Sequence, residues 1–248
     1  RMMKRPQTIS DMSAVVTGML LGMNLPPTIN PLYGVIGSFV AIGIAKQLFG
    51  GIGQNFANPA IVGRIVLMLS FTASMSTWCK PFYYLNGADV VTGATPLVSK
   101  DADYLSLLLG TTGGCIGETC AIALIAGGIY LIAARIITPH APVAFIGTVF
   151  LLTLIAGDDP IYAVLSGGLI IGAFFMATDY ATTPLTGKGK IIFGIGCGLI
   201  TFAIRKFGNY PEGVSFSILL MNLLVPYIDR LCETKPVGAK APEKEASK

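Results

Sequence analysis

Long apolar stretches separated by short charged clusters set the pattern of this chain. The apolar runs cover about residues 9–23, 32–49, 59–71, 118–137, 142–156, 161–176, 191–206 and 214–230. The charges gather between them, at 1–5, 80–103, 158–159, 188–190, 205–206 and 229–248. A membrane-crossing helix needs about 20 mostly apolar residues, so the pattern predicts eight spans, several of them short. Short spans that end at Pro or Gly imply broken or half-spanning helices. Irregular backbone of that kind survives at membrane depth only when buried in protein or lining a cavity. The predicted fold class is an all-α polytopic membrane bundle with broken helices.

Two segments repeat. Ala14-Val-Val-Thr-Gly-Met-Leu-Leu-Gly22 resembles Ala163-Val-Leu-Ser-Gly-Gly-Leu-Ile-Ile-Gly172, Pro31-Leu-Tyr-Gly34 matches Pro184-Leu-Thr-Gly187, and Phe49-Gly50 matches Phe207-Gly208. The second copy starts five spans after the first, an odd number, so the copies are expected to be inverted in the membrane. Inverted repeats with interrupted helices characterise transporter-like folds with a site near the midplane. Residues 24–31 and 177–184 are the expected paired breaks, and a urea-transporter-like bundle is the expected architecture.

Composition agrees with a membrane domain over residues 1–230. Charged residues make up 12% and hydrophobic residues 53%, with a mean hydropathy of +0.70. A soluble domain carries about 25% charged residues, and half that number leaves too little charge to cover a water-facing surface. Thirty glycines suit close helix packing. No basic face is interleaved with aromatics, so nucleic acid is excluded as a partner and membrane lipid is the expected surroundings. The Lys-rich tail 231–248 is expected to be disordered and cytoplasmic.

Cytoplasmic loops are enriched in Lys and Arg. Arg1, Lys4 and Arg5 therefore place the start inside, and alternation puts Lys46, Arg135, Lys188, Lys190 and the tail there too. The loop 72–117 and the turn Asp158-Asp159 fall outside. Arg205-Lys206 breaks the rule, since it also falls outside. The basic start lacks a cleavage site of small residues and is no signal peptide. A span begins almost at once, which leaves one or two helices ahead of it open.

Five cysteines (Cys79, Cys115, Cys120, Cys197, Cys232) form no CxxC pair, and His140 stands alone. Metal ligation by this chain is not expected; the cysteines read as small buried apolar residues. Three charged residues lie in or beside spans: Arg64, Glu118 and Asp179. Ionisable groups at membrane depth are costly and usually functional, although a structural Arg–carboxylate pair is the plainer reading. Asp179, Thr182 and Thr183 share a helix break and are candidates for an ion path or a second flavin site. The amides of Gln54, Asn55 and Asn58 read as caps for the third span, or as partners for a flavin edge. Trp78, Phe82, Tyr83 and Tyr84 read as an interfacial belt.

The outer loop carries Asp89-Val-Val-Thr-Gly-Ala-Thr-Pro-Leu97. By composition this is a polar turn with an exposed hydroxyl, and a threonine without an activating base is a poor nucleophile. The segment resembles the D-x-x-[S/T]-G-A-T signature of covalent flavinylation, with Thr92 where Ser is more usual. Residues 49–64 (Phe-Gly-Gly-Ile-Gly-Gln-Asn-Phe-Ala-Asn-Pro-Ala-Ile-Val-Gly-Arg), Gly117-Glu-Thr119 and residues 175–184 (Phe-Met-Ala-Thr-Asp-Tyr-Ala-Thr-Thr-Pro) likewise resemble the RnfD proteins of the Rnf complexes. They are also similar to NqrB, the counterpart of RnfD in the sodium-pumping NADH:quinone oxidoreductases. The resemblance spans about residues 5–230. It implies FMN joined to Thr95 by a phosphoester, with Asp89, Thr92, Gly93 and Ala94 as the attachment segment. Arg64, Glu118 and Thr119 are then candidate cofactor contacts, and riboflavin is a second possible cofactor. It further implies electron relay coupled to Na+ or H+ movement, in the cytoplasmic (inner) membrane. The implied partners are the other Rnf subunits, including a second covalent-FMN subunit, and a flavin transferase. The alternatives are the quinone-reducing relative and a channel without redox chemistry.

Overall fold

The computed structural model describes residues 11–79, 81, 92–93, 95–99, 102–208 and 212–233. Asp89, Ala94, Phe82, Tyr83, Tyr84, the basic start and most of the tail lie outside them. The protein is helical. In chain order come α1 (Ser13–Met23), α2 (Pro31–Ser38, continuing as π-helical turns over Phe39–Gln47), α3 (Pro59–Ser70) and α4 (Thr72–Met75). A two-stranded ribbon of β1 (Trp78–Cys79) and β2 (Thr92–Gly93) follows, then α5 (Pro96–Ser99), α6 (Tyr104–Leu109), α7 (Ala121–Ala133) and α8 (His140–Ile155). The chain ends with α9 (Pro160–Leu165), α10 (Leu169–Ile171, continuing as π-helix over Gly172–Met176), α11 (Gly187–Phe207) and α12 (Val214–Leu231).

Each predicted span has a helical counterpart, with one correction. Residues 161–176 are not one helix: the chain leaves α9 at Ser166 in an extended conformation, turns at Gly167 with φ +68°, and restarts as α10. Two consecutive glycines supply the left-handed step and the close approach that a side chain would block. α11 and α12 are long and apolar enough to cross a membrane, while α1, α3, α7 and α8 are apolar but shorter. Large apolar side chains such as Leu151, Ile155, Leu185 and Phe207 face outward, as lipid contact requires. Polar side chains within the helices turn back on their own backbone, as in Thr148 to the Ala144 carbonyl at 2.7 Å and Thr153 to that of Val149 at 2.7 Å. That satisfies the hydroxyl where no water is available.

Glycine sets the tightest helix pair. On α11, a Cβ at Gly194 would stand 2.6 Å from the Ala141 carbonyl oxygen, and one at Gly198 would stand 2.5 Å from the Thr148 Cβ. The four-residue spacing puts both glycines on one face of α11, where α8 lies against them. The core between the layers is filled by Leu21, Ile61, Leu67, Phe145, Leu169, Phe193 and Ile218.

The two expected breaks approach each other at their buried ends, Asn24 and Met176. The Asn24 amide, ending α1, donates to Met176 Sδ at 3.6 Å, and the Asn58 amide donates to the Met176 carbonyl at 3.1 Å. Asn58 also caps α3, accepting from the Ala60 and Ile61 N–H groups. The Asn55 amide instead donates to the Ala57 carbonyl and, at 3.5 Å, to Asp179.

Candidate functional site

Three groups of the singled-out residues come together, each in a different part of the fold. The first surrounds Thr95. Thr92 and Gly93 pair with Cys79 and Trp78 in an antiparallel register, so this stretch is fastened to the residues after α4 by backbone hydrogen bonds. Trp78 is buried, which corrects the belt reading for that residue: its ring is covered by protein and does not face outward. Just beyond, the Tyr162 hydroxyl donates to the Pro96 carbonyl at 2.8 Å. The Tyr104 hydroxyl donates to the Asp159 carboxylate, and Asp159 caps α9 through the N–H groups of Ile161 and Tyr162 at 3.0 and 3.1 Å. The Tyr104 hydroxyl, helped by these backbone donors, holds the exposed Asp159 carboxyl below its ordinary range. Thr95 itself is buried, and its Oγ1 has no hydrogen-bond partner. That corrects the exposed hydroxyl expected of a polar turn: Thr95 is enclosed by protein.

Beside this loop lies a cavity of about 290 Å³, lined by Leu97, Val149, Thr153, Tyr162, Phe202, Arg205 and their neighbours. Arg205 donates to the carbonyls of Ala163 at 2.6 Å and Ser166 at 3.3 Å, and its Nε and the Ser166 Oγ are buried without partners. Lys206 pairs with Asp158 at 2.5 Å. These bonds give both cations local partners. Arg205 is committed to the broken end of α9, and Lys206 is neutralised at the rim.

The second group is centred on Arg64. Its guanidinium forms a buried ion pair with Glu212 and donates to Asn24 Oδ1 at 2.7 Å, Ser215 Oγ at 3.0 Å and Cys115 Sγ at 3.4 Å. Glu118 is buried beside it and accepts the Cys115 N–H at 3.0 Å. Thr119 is half-buried next in the chain. The turn that carries Glu118 sits on the end of α1, where the Ile116 and Gly117 N–H groups donate to the Leu25 and Met23 carbonyls at 3.1 and 2.7 Å. Those are carbonyls that the helix end would otherwise leave open. Glu212, Ser215 and Asn24 were not singled out from the sequence. A clue was present in Pro211-Glu-Gly213, a lone carboxylate directly ahead of an apolar run. Cys115 is buried as expected, yet its sulfur touches a guanidinium and is no mere filler.

The third group is the break after α10. The Asp179 carboxylate accepts from the Thr182 hydroxyl at 3.2 Å, whereas the Thr183 hydroxyl turns away to the Ala177 carbonyl at 2.7 Å. Asp179 lines a cavity of about 500 Å³ with Lys46, Asn55, Phe174, Phe175 and Thr178.

These features coincide with a known family. The model of the NQR2, RnfD, RnfE family matches residues 1–238. The chain belongs to this family. Among its relatives is the D-type subunit of the Na(+)-translocating ferredoxin:NAD(+) oxidoreductase complex of Acetobacterium woodii, which is 47% identical over 255 residues, covering 99% of this chain and 79% of the relative. The D-type subunit of the proton-translocating ferredoxin:NAD(+) oxidoreductase complex of Clostridium ljungdahlii is also 47% identical, over 258 residues, covering 95% of this chain and 77% of the relative. The D-type subunit of the ion-translocating oxidoreductase complex of Stutzerimonas stutzeri is 39% identical over 272 residues, covering 93% and 77%. The family resemblance carried by the four motifs is thereby borne out, and the apolar helices belong to a membrane protein of the NQR2, RnfD, RnfE family.

Proposed function

We propose that this chain is the RnfD-type, flavin-carrying membrane component of an ion-translocating ferredoxin:NAD oxidoreductase complex, with FMN covalently bound at Thr95. The relatives' names support the complex; the observation that carries the cofactor is the last threonine of the T-G-A-T segment. Its hydroxyl is buried and unsatisfied, an arrangement that costs roughly 1–3 kcal/mol for a neutral group and that esterification would remove. The residues present fit the group. Thr95 would hold the phosphate, and the β1–β2 ribbon would fix the segment. The cavity under Leu97 and Phe202 would receive the ring, with the Arg205 guanidinium and Ser166 hydroxyl as donors to its polar edge. Bound FMN supplies the electron-transfer chemistry, and the protein positions it and tunes its electronics. A buried cation beside the ring favours the more negative, reduced form.

The chain would sit in the cytoplasmic membrane with residues 1–230 as its membrane domain. The Thr95 loop would lie on the extracytoplasmic side and the tail 231–248 inside. Two features support an inverted repeat in a urea-transporter-like arrangement. The pairing of α2 with α3 is echoed by that of α11 with α12, and the interrupted segments lie together through Asn24, Asn58 and Met176. Partners would be the other subunits of the complex, including a second covalent-FMN subunit, with a flavin transferase for maturation. Electron relay would be coupled to Na+ or H+ movement, and the cavity at Asp179 is the place for an ion path or a riboflavin.

The test is flavin fluorescence of the denatured protein on a gel, with the transferase co-expressed. Fluorescence that survives denaturation in the wild type and vanishes in Thr95→Ala establishes the covalent site. A dark wild-type band from a host with an active transferase overturns the flavin assignment.

A further inference from the structure

Thr95 is anchored through the two residues that follow it. The Tyr162 hydroxyl donates to the Pro96 carbonyl at 2.8 Å. The Leu97 side chain lies against Gly167, where a Cβ would stand 2.5 Å from Leu97 Cδ1. Both anchors belong to α9 and the break behind it. Within the turn, the Thr95 carbonyl accepts the Ser99 N–H at 3.0 Å, and the pyrrolidine of Pro96 fixes its own φ. The backbone around Thr95 is thus held from α5 on one side and from Tyr162 on the other.

Tyr162 is itself firmly placed. Pro160 opens α9, the Asp159 carboxylate accepts the Tyr162 N–H at 3.1 Å, and the Asp159 carbonyl accepts the Ala163 N–H at 3.1 Å. The Tyr162 side chain also lines the cavity beside Thr95, together with Leu97 and Phe202. One half-buried side chain therefore meets both places that matter to a group carried on Thr95: its hydroxyl holds the attachment turn, and it forms part of the cavity wall. A covalent tether alone limits how far a flexibly linked ring can reach and leaves its orientation free. Orientation has to come from a rigid neighbour, and a correctly held geometry is worth much in rate.

We propose that Tyr162 is a positioning residue for the flavin: its hydroxyl fixes the attachment turn through Pro96, and its side chain bounds the cavity in which the isoalloxazine ring rests. The proposal rests on the reading of Thr95 as the site of covalent FMN. Tyr162→Phe removes one neutral hydrogen bond and leaves the Arg205 charge in place, so its effect reports position and not electrostatics.

The experiment uses the full chain co-expressed with the transferase and purified in detergent micelles. Fluorescence on a denaturing gel measures covalent flavin. On the folded protein, iodide quenching of flavin fluorescence and the visible circular dichroism of the flavin report how the ring is shielded and held. Thermal unfolding checks the fold. Tyr162→Phe should carry as much covalent flavin as the wild type, with its iodide quenching constant roughly doubled and its flavin dichroism weakened, a modest change in keeping with the loss of one neutral hydrogen bond. Leu97→Ala, which removes the other anchor, should move both signals the same way. Tyr227→Phe, at an exposed tyrosine of α12, should leave them unchanged. A dark wild-type band removes the Thr95 reading and this proposal with it. A bright wild type whose quenching and dichroism are matched by folded Tyr162→Phe overturns this proposal alone, whatever the unfolding temperature. Loss of covalent flavin in folded Tyr162→Phe also overturns it, since the hydroxyl then serves attachment and not position. If Tyr162→Phe fails to fold, Leu97→Ala decides, and unchanged flavin signals there overturn the proposal.

Discussion

The Arg64 guanidinium and the Glu212 carboxylate form a buried ion pair between residues 148 positions apart, each side chain 3% exposed. It ties α3 to the segment that leads into α12. Removing one member strands the other in a dry interior, at a cost of roughly 3–5 kcal/mol. Arg64→Met should therefore lower the unfolding temperature strongly. Arg64→Met with Glu212→Leu should recover much of the loss, since no buried charge is then left unpaired at position 212. Thermal unfolding of the purified chain checks both. Equal destabilisation by the single and double variants would count against the pair as the source.

The α8–α11 contact depends on the absence of side chains at Gly194 and Gly198. Gly194→Val would press a methyl group against the Ala141 carbonyl and the Phe145 nitrogen, both backbone atoms that cannot yield. Overpacking of this kind costs about 1–3 kcal/mol. The folded yield and unfolding temperature should fall, whereas a change at the lipid-facing Gly147, where nothing stands within 4 Å of a Cβ, should be neutral. Size-exclusion profiles of the two variants side by side test this.

Arg205 should tune the flavin proposed at Thr95. Arg205→Gln removes a buried positive charge from the cavity wall, so reduction to a more negative flavin becomes harder. The midpoint potential should fall by on the order of 30 mV, equivalent to about 1.4 kcal/mol for a two-electron couple. A redox titration of the flavinylated protein reads it, and an unchanged potential would place the ring elsewhere.

The loop contact at Asp159 gives a pH signature. Its folded carboxyl titrates below the unfolded value, chiefly because the Tyr104 hydroxyl donates to the charged form. The linked stability is present above the unfolded value of about 3.9 and fades as pH falls through the lower folded value. Tyr104→Phe should let the Asp159 carboxyl rise toward its ordinary range, as a 13C carboxyl NMR titration would show. The caps from Ile161 and Tyr162 should keep part of the depression.

Local chemistry was legible in the linear chain. Apolar run length and charge placement located the helices, because a bilayer imposes length and excludes charge residue by residue. The Pro and Gly positions marked the interruption at 177–184, and the T-G-A-T segment named Thr95. The step at 166–168 inside an apolar run was missed, since hydropathy is blind to a change in backbone direction.

What the sequence determined by itself was thus membrane character, helix positions and the family motifs. Only the tertiary structure decided which partners those residues have. Arg64 meets Glu212, Asn24, Ser215 and Cys115, all from other elements. Arg205 bridges to carbonyls 42 and 39 residues away. Ion pairing and desolvation act through space at a few ångströms, and spacing along the chain carries no record of distances that arise only when separate helices pack.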